Sequence, residues 1–224
     1  MVSFPGTRYA PGGALLVGNP VREEIHQLAD PEQRYLARQG PLKLLVIGGS
    51  LGASAFNRQL PGCFAQVIAA GQPLLIRHQT GAADCDMVMA EYRRLGVAAQ
   101  CSAFIDDMKA AYGESDLVIC RAGASTVTEV AAAGVAAMFV PLPHAIDDHQ
   151  SANARALVEQ QAAWMMSQDQ LASAEMVSWL ADCTRPTLLA RAARARSLSL
   201  KDAAHQAVQI VTSVAPSSFA ERSR

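Results

Sequence analysis

Gly48-Gly49-Ser50-Leu51-Gly52-Ala53 directly follows the apolar run LKLLVI. Glycines let a backbone turn sharply and approach a bound group closely, and a helix beginning there presents unpaired N–H groups to an anion. Ser50 adds a hydroxyl donor. The spacing is neither a strict G-x-G-x-x-G nor a Walker loop with its lysine, so a plain tight turn between strand and helix is the alternative. A second segment, Arg121-Ala122-Gly123-Ala124-Ser125-Thr126-Val127-Thr128-Glu129, follows LVIC and repeats the design. Its small residues and hydroxyls open a helix and place Glu129 about one turn inside. A carboxylate there can accept both hydroxyls of a ribose; otherwise it is an acid that complements the helix dipole. Two such turns on one sheet point to a nucleotide diphosphate.

The third segment, Pro141 to Gln150, follows AAMFV and holds His144, Asp147, Asp148 and His149. A metal site is one reading, but the spacing of His144 and His149 does not put both rings on one helical face as H-x-x-x-H does. The cluster better fits a set of hydrogen-bonding groups, with Gln150 able to donate and accept at sugar hydroxyls.

The elements that must position these segments alternate in type. Strand-like runs occur at Leu42 to Ile47, Leu74 to His78, Val97 to Phe104, Leu117 to Cys120 and Ala136 to Val140, with a sixth at Ala163 to Met166. Helical patterns fill the intervals: through Ala70, Ala82 to Leu95, Met108 to Tyr112, Ser125 to Ala133 and Asp147 to Gln161, the last with an acidic first turn. From Gln168 onward the pattern is helical. Such alternation predicts an α/β fold, a Rossmann-like parallel sheet with helices on both faces, and ligands beyond the carboxyl ends of the strands. The Arg191, Arg194 and Arg196 run predicts a solvated helix face or, alternatively, a contact with anionic membrane.

Half of the residues are hydrophobic, only 5% are aromatic and 17% charged, a composition for a buried aliphatic core and not for a disordered chain. A net charge of -1 supplies no field for nucleic acid, so an anion must be held locally. The five cysteines are scattered and never form C-x-x-C, which indicates neither a zinc site nor a disulfide framework and suits a reducing cytosol. The longest uncharged apolar stretch, Val130 to Pro143, is interrupted by Gly134 and Pro141 and falls short of the roughly 20 residues that span a bilayer. Residues 1–19 are rich in Pro and Gly and lack the apolar core of a signal peptide, reading instead as a linker.

Five motifs in order, GNPVR (18–22), GGSLGA (48–53), FIDDM (104–108), CRAGASTVTEVAAAG (120–134) and PHAIDDHQSANA (143–154), resemble the C-terminal, donor-binding half of the MurG family. Those are bacterial GT-B glycosyltransferases that move N-acetylglucosamine from UDP-GlcNAc onto lipid I, giving lipid II for peptidoglycan. The resemblance implies that Arg22 approaches the donor and that Gly48, Gly49, Ser50 and Gly52 face the diphosphate. It implies that Ile105 reads the uracil edge through its backbone and that Ala124, Ser125, Thr126, Val127 and Thr128 line the nucleotide. Glu129 would hold the ribose and Gln150 the sugar hydroxyls. Neither a cofactor nor a metal is implied.

In the family a Rossmann-like acceptor half precedes GNPVR and carries a G-x-G-G-H turn whose histidine is the candidate base. Nothing of that kind occurs in this sequence. The resemblance therefore predicts residues 1–19 as an interdomain segment, 20–214 as the UDP-GlcNAc-binding domain and 215–224 as a polar tail. No catalytic residue is expected in this half, which would be inactive alone; lipid I would be met through the other half. The expected location is the cytoplasm or the cytoplasmic face of the bacterial inner membrane, with peripheral membrane contact by the full-length family. A stand-alone UDP-sugar binding module with a separate partner chain is the alternative. A dinucleotide-dependent oxidoreductase is disfavoured by the glycine spacing.

Overall fold

A computed structural model describes residues 1–4, 12–143 and 148–214, without the side chains of 50–53 and 214. His144 and Asp147 and the tail 215–224 lie outside the described residues. Six strands, β1 (Leu42–Ile47), β2 (Leu74–Gln79), β3 (Ala99–Ser102), β4 (Leu117–Cys120), β5 (Ala136–Phe139) and β6 (Trp164–Met165), form one sheet in the order β3-β2-β1-β4-β5-β6. Every pairing is parallel.

The residue patterns explain the layers. LVIC and AAMF of β4 and β5 are buried at every position, as central parallel strands covered on both faces require. Along β1, Leu44 and Val46 enter one core while Leu45 enters the other, the two-residue alternation of a strand. The first core packs Phe56, Phe64, Tyr92, Leu180 and Leu188 from α3 (Gly49–Ala69), α4 (Cys85–Arg94), α8 (Ala174–Ala181) and α9 (Arg185–Ser197). The second packs Ile25, Tyr112, Val127 and Leu157 from α1 (Glu23–His26), α5 (Met108–Glu114), α6 (Ala124–Ala133) and α7 (His149–Val158). Helices thus cover both faces, as the alternation of elements predicts.

Two elements have no counterpart in the sequence reading: α1 and α2 (Pro31–Leu36). The latter is anchored by Tyr35, whose buried hydroxyl donates to Asp116 O at 2.7 Å and accepts from Ala136 N at 3.0 Å. It thereby ties the starts of β4 and β5 together. Beside it, Arg34 donates to the carbonyls of Ala133 and Gly134 at the end of α6, which Gly134 closes at φ +59. A left-handed residue there frees the chain to turn into β5.

Three boundaries differ from expectation. The glycine turn is folded into the first turn of α3, which starts at Gly49. The third strand shortens to Ala99–Ser102. Helix α7 starts at His149, with Asp148 as its N-cap and no acid in its first turn, and it ends at Val158.

The arginine run of α9 is held within the chain. Arg191 stacks 4.7 Å over Trp164, Arg194 donates to Gln161 Oε1 at 2.8 Å, and Arg196 donates to His26 O at 2.6 Å. These guanidinium groups act as ties between elements. At the end of the described residues, α10 (Ala203–Val214) exposes Val208 and Val211.

Candidate functional site

The order of the strands creates the site. β1 and β4 are neighbours, with Ile47 opposite Cys120, but the chain leaves β1 toward β2 and leaves β4 toward β5. Connections that diverge in this way open a crevice beyond the carboxyl ends of the strands. Both glycine-containing turns lie at it.

On one wall Gly48 is the N-cap of α3 and Gly49 follows at φ +67, a conformation that costs other residues strain. Nothing lies within 4 Å of where a side chain at Gly49 would begin. Gly52 falls within the first helical turn. The side chain of Ser50 is outside the description. On the other wall Gly123 is the N-cap of α6. A glycine has no side chain with which to satisfy the first N–H groups of a helix, whereas Asp107, Ser173 and Thr184 do so for α5, α8 and α9. Two helices therefore begin at the crevice with no cap from their N-cap residues, the arrangement that favours an anion.

Helix α6 sorts the run expected to line a nucleotide. Ser125 is exposed and Ala124 and Thr126 are half-buried, while Val127 is fully buried in the core. Thr128 is also buried. Its hydroxyl donates to Ala124 O at 2.8 Å and accepts from Asn19 Nδ2 at 3.1 Å, fixing GNPVR alongside α6. Arg22, at the end of that segment, is exposed and pairs with Glu24 at 3.3 Å.

Glu129 lies beyond the first turn of α6, so the dipole role weighed from the sequence does not describe it. Its Oε2 accepts the hydroxyl of Tyr112 at 3.0 Å. Burial, and then the neighbouring Glu129 carboxylate, hold the Tyr112 phenol well above its ordinary pKa, so it remains a donor. Ile105 precedes α5 and buries its side chain at 3% exposure, leaving only its backbone for any ligand.

Gln150 acts first within the protein. Its Oε1 accepts from Leu142 N at 3.0 Å and from Ala122 N at 3.3 Å, joining the turns after β5 and β4. One turn along α7, Asn153 Nδ2 donates to Ala122 O at 3.1 Å. The Ala122 backbone is thus held from both sides. Arg121 adds a third brace: its guanidinium lies 4.5 Å over the Phe56 ring and donates to Val140 O, Pro141 O and Gln168 Oε1. Burial lowers its pKa. Beyond these braces an open depression of about 440 Å³ is lined by Leu142, Pro143, Ser151, Met166 and Gln168.

Sequence reasoning named the glycine turns, Glu129 and Gln150, and these segments do meet at one edge. It missed Tyr112, Asn19, Asn153 and the guanidinium of Arg121. Asn153 was findable, because residues three apart on a helix share a face. Tyr112 carries no such signal. Among the described residues, no three of His, Cys, Asp and Glu come together as a metal cluster, and no helix is long and apolar enough to cross a membrane.

Fold and crevice together define a Rossmann-like domain of the GT-B glycosyltransferase kind. A crystal structure of Acinetobacter baumannii MurG superposes with a TM-score of 0.82 at 37% identity, covering 95% of this chain and 59% of that one. The C-terminal domain of a group 1 glycosyl transferase from Francisella tularensis, at a TM-score of 0.54 and 13% identity, shares the fold alone. The chain belongs to glycosyltransferase family 28: residues 43–207 match the model described as the family's C-terminal domain.

A curated relative from Ralstonia nicotianae is 48% identical over 218 residues, 96% of this chain and 59% of its own length. Another, from Bordetella petrii, is 52% identical over 194 residues, covering 87% of this chain and 54% of its own. Both carry the name UDP-N-acetylglucosamine--N-acetylmuramyl-(pentapeptide) pyrophosphoryl-undecaprenol N-acetylglucosamine transferase. The chain therefore spans little more than half the length of the relatives it matches.

Proposed function

We propose that this chain is the donor-binding domain of the transferase that moves N-acetylglucosamine from UDP-GlcNAc to lipid I, forming lipid II. The observation that carries the reading is the convergence of two glycine-capped helix starts at the β1–β4 crevice, with Glu129 on one of them. The helix starts would take the diphosphate with neither metal nor cofactor, and Ser50 would add its hydroxyl. The Ile105 backbone would meet the uracil, Glu129 the ribose, and Ala124, Ser125 and Thr126 the nucleotide between them. Val127 and Thr128 would support that wall from behind. The Gln150 oxygen is committed to Ala122 and Leu142, so its amide N–H groups would donate to the sugar. Arg22 would swing from Glu24 toward the donor.

Lipid I would be held by the half of the relatives that this chain does not span, at the cytoplasmic face of the membrane. The net charge of -1 supports no nucleic-acid partner. Calorimetry with UDP and its 2′-deoxy analogue tests the reading. Glu129→Ala should weaken UDP by about 1–3 kcal/mol, the cost of leaving a buried polar group unpaired. The 2′-deoxy analogue should lose less. Equal losses would reduce Glu129 to a support for its helix.

A further inference from the structure

We propose that Tyr112 is a positioning residue, which presents the Glu129 carboxylate to the ribose of the donor; the inference rests on the reading of Glu129 given above. Tyr112 is 1% exposed and its hydroxyl donates to Glu129 Oε2 at 3.0 Å. It is the only hydrogen-bonding partner of that carboxylate among the described residues. A glutamate side chain has several rotatable bonds, and ordering them costs conformational entropy each time a ligand is bound. A rigid phenol removes that cost in advance. It occupies one lone pair of Oε2 and leaves Oε1, with the second lone pair of Oε2, to accept hydroxyls.

The phenol is itself fixed. Helix α5 is capped by Asp107, which accepts from Ala110 N at 2.8 Å, and closed by Ser115, whose Oγ donates to Ala111 O at 2.6 Å. The ring lies in the same core as Ile105, Val127 and Phe139. Ile105 leads into α5 and Tyr112 lies within it, so the segment assigned to the base and the residue that orients the ribose acceptor belong to one short rigid unit. Tyr112 thereby sets the distance between the two subsites as well as the orientation of the carboxylate.

Tyr112→Phe keeps the ring and removes only the hydroxyl. Calorimetry on the 224-residue chain compares wild type, Y112F, E129A and the double variant with UDP and with 2′,3′-dideoxy-UDP. Y112F should weaken UDP roughly five- to tenfold, as expected for one net hydrogen bond. The dideoxy analogue, which offers Glu129 no hydroxyl, should bind Y112F as it binds wild type. In the E129A background Y112F should cost nothing further.

Y112F binding UDP like wild type while E129A loses affinity would overturn the inference and leave the ribose assignment standing. E129A without effect would remove the ribose assignment itself. Equal weakening of both ligands by Y112F would make Tyr112 a packing residue only. Should Y112F not fold, replacement of the tyrosines by 3-fluorotyrosine keeps the hydroxyl and strengthens it as a donor. A change in UDP binding without a change for the dideoxy analogue then supports the inference, and no change for either overturns it.

Discussion

The side-chain oxygen of Gln150 accepts the backbone N–H of Ala122 at 3.3 Å, and Asn153 donates to the carbonyl of the same residue at 3.1 Å. One face of α7 therefore grips the turn that opens α6. The two grips differ in what they leave over: Gln150 uses its oxygen and keeps both amide N–H groups, whereas Asn153 spends one of its two on the turn. Gln150→Ala should weaken UDP-GlcNAc by about 1 kcal/mol more than it weakens UDP, the worth of a typical net hydrogen bond. Asn153→Ala should weaken both alike by loosening the turn. Calorimetry on the two variants separates these effects, and equal losses for Q150A would move its amide away from the sugar.

At the opposite, amino edge of the sheet, Asp116 is fully buried between Arg38 at 2.9 Å and Arg185 at 3.1 Å, and it also accepts from Lys43 N at 2.9 Å. Asp116→Ala should destabilise the domain by about 3–5 kcal/mol, because it leaves two guanidinium groups largely removed from water without their counter-charge. Urea unfolding measures this. UDP affinity at temperatures where the variant is folded should be unchanged; a large loss would mean that the two edges are coupled.

His78 on β2 is fully buried, bonded through Nδ1 to the Tyr92 hydroxyl at 2.9 Å, and its Nε2 has no partner among the described residues. Burial lowers its pKa from 6.5 to about 4. The folded state therefore binds fewer protons than the unfolded state between these values. Its contribution is complete above about pH 6.5 and is lost as pH falls toward 4, on the order of 3 kcal/mol in all. His78→Gln should flatten the dependence of unfolding free energy on pH in that window. A wild-type slope retained in the variant would assign the loss to other groups.

The 224-residue chain alone should bind UDP-GlcNAc without transferring the sugar. Transfer needs a base for the acceptor hydroxyl and an acceptor within about 3–3.5 Å of the anomeric carbon, each worth orders of magnitude in rate. On the function proposed above, the groups at the crevice would bind a donor and supply no base. His78 is fully buried on β2, and His205 is an exposed residue of α10. The assay combines the chain, UDP-GlcNAc and a short-chain lipid I analogue, with and without the N-terminal half of a full-length relative. Turnover by the chain alone would make His149, at the start of α7, the first candidate base.

The layered sheet was legible because its strands are short aliphatic runs between turn residues. LKLLVI and LVIC have the expected limits to the residue. The first two helices were not legible: they span four and six residues, too few to show a helical period. Asp30 followed by Pro31 is nonetheless a helix-start signal. At the site, Glu129 could be named from its place in a helix, but its partner lies on another helix seventeen positions earlier, a pairing set by packing alone. The arginines of α9 show the same limit. Their clustering suggests a shared surface, while in three dimensions each reaches a different element.

β1 and β4 form the middle of the sheet, yet the chain between Ile47 and Cys120 must complete two other strands before the two can meet. The crevice therefore does not exist in either half of the domain folded separately. Closing so long a loop carries an entropic cost that local helices and the β1–β2 unit do not meet. A nucleotide bound across this seam stabilises only the chain in which the closure has occurred, by an amount set by its concentration relative to Kd. Ligand added during refolding then selects for completed molecules over half-assembled ones, which makes donor occupancy a measure of foldedness as well as of affinity.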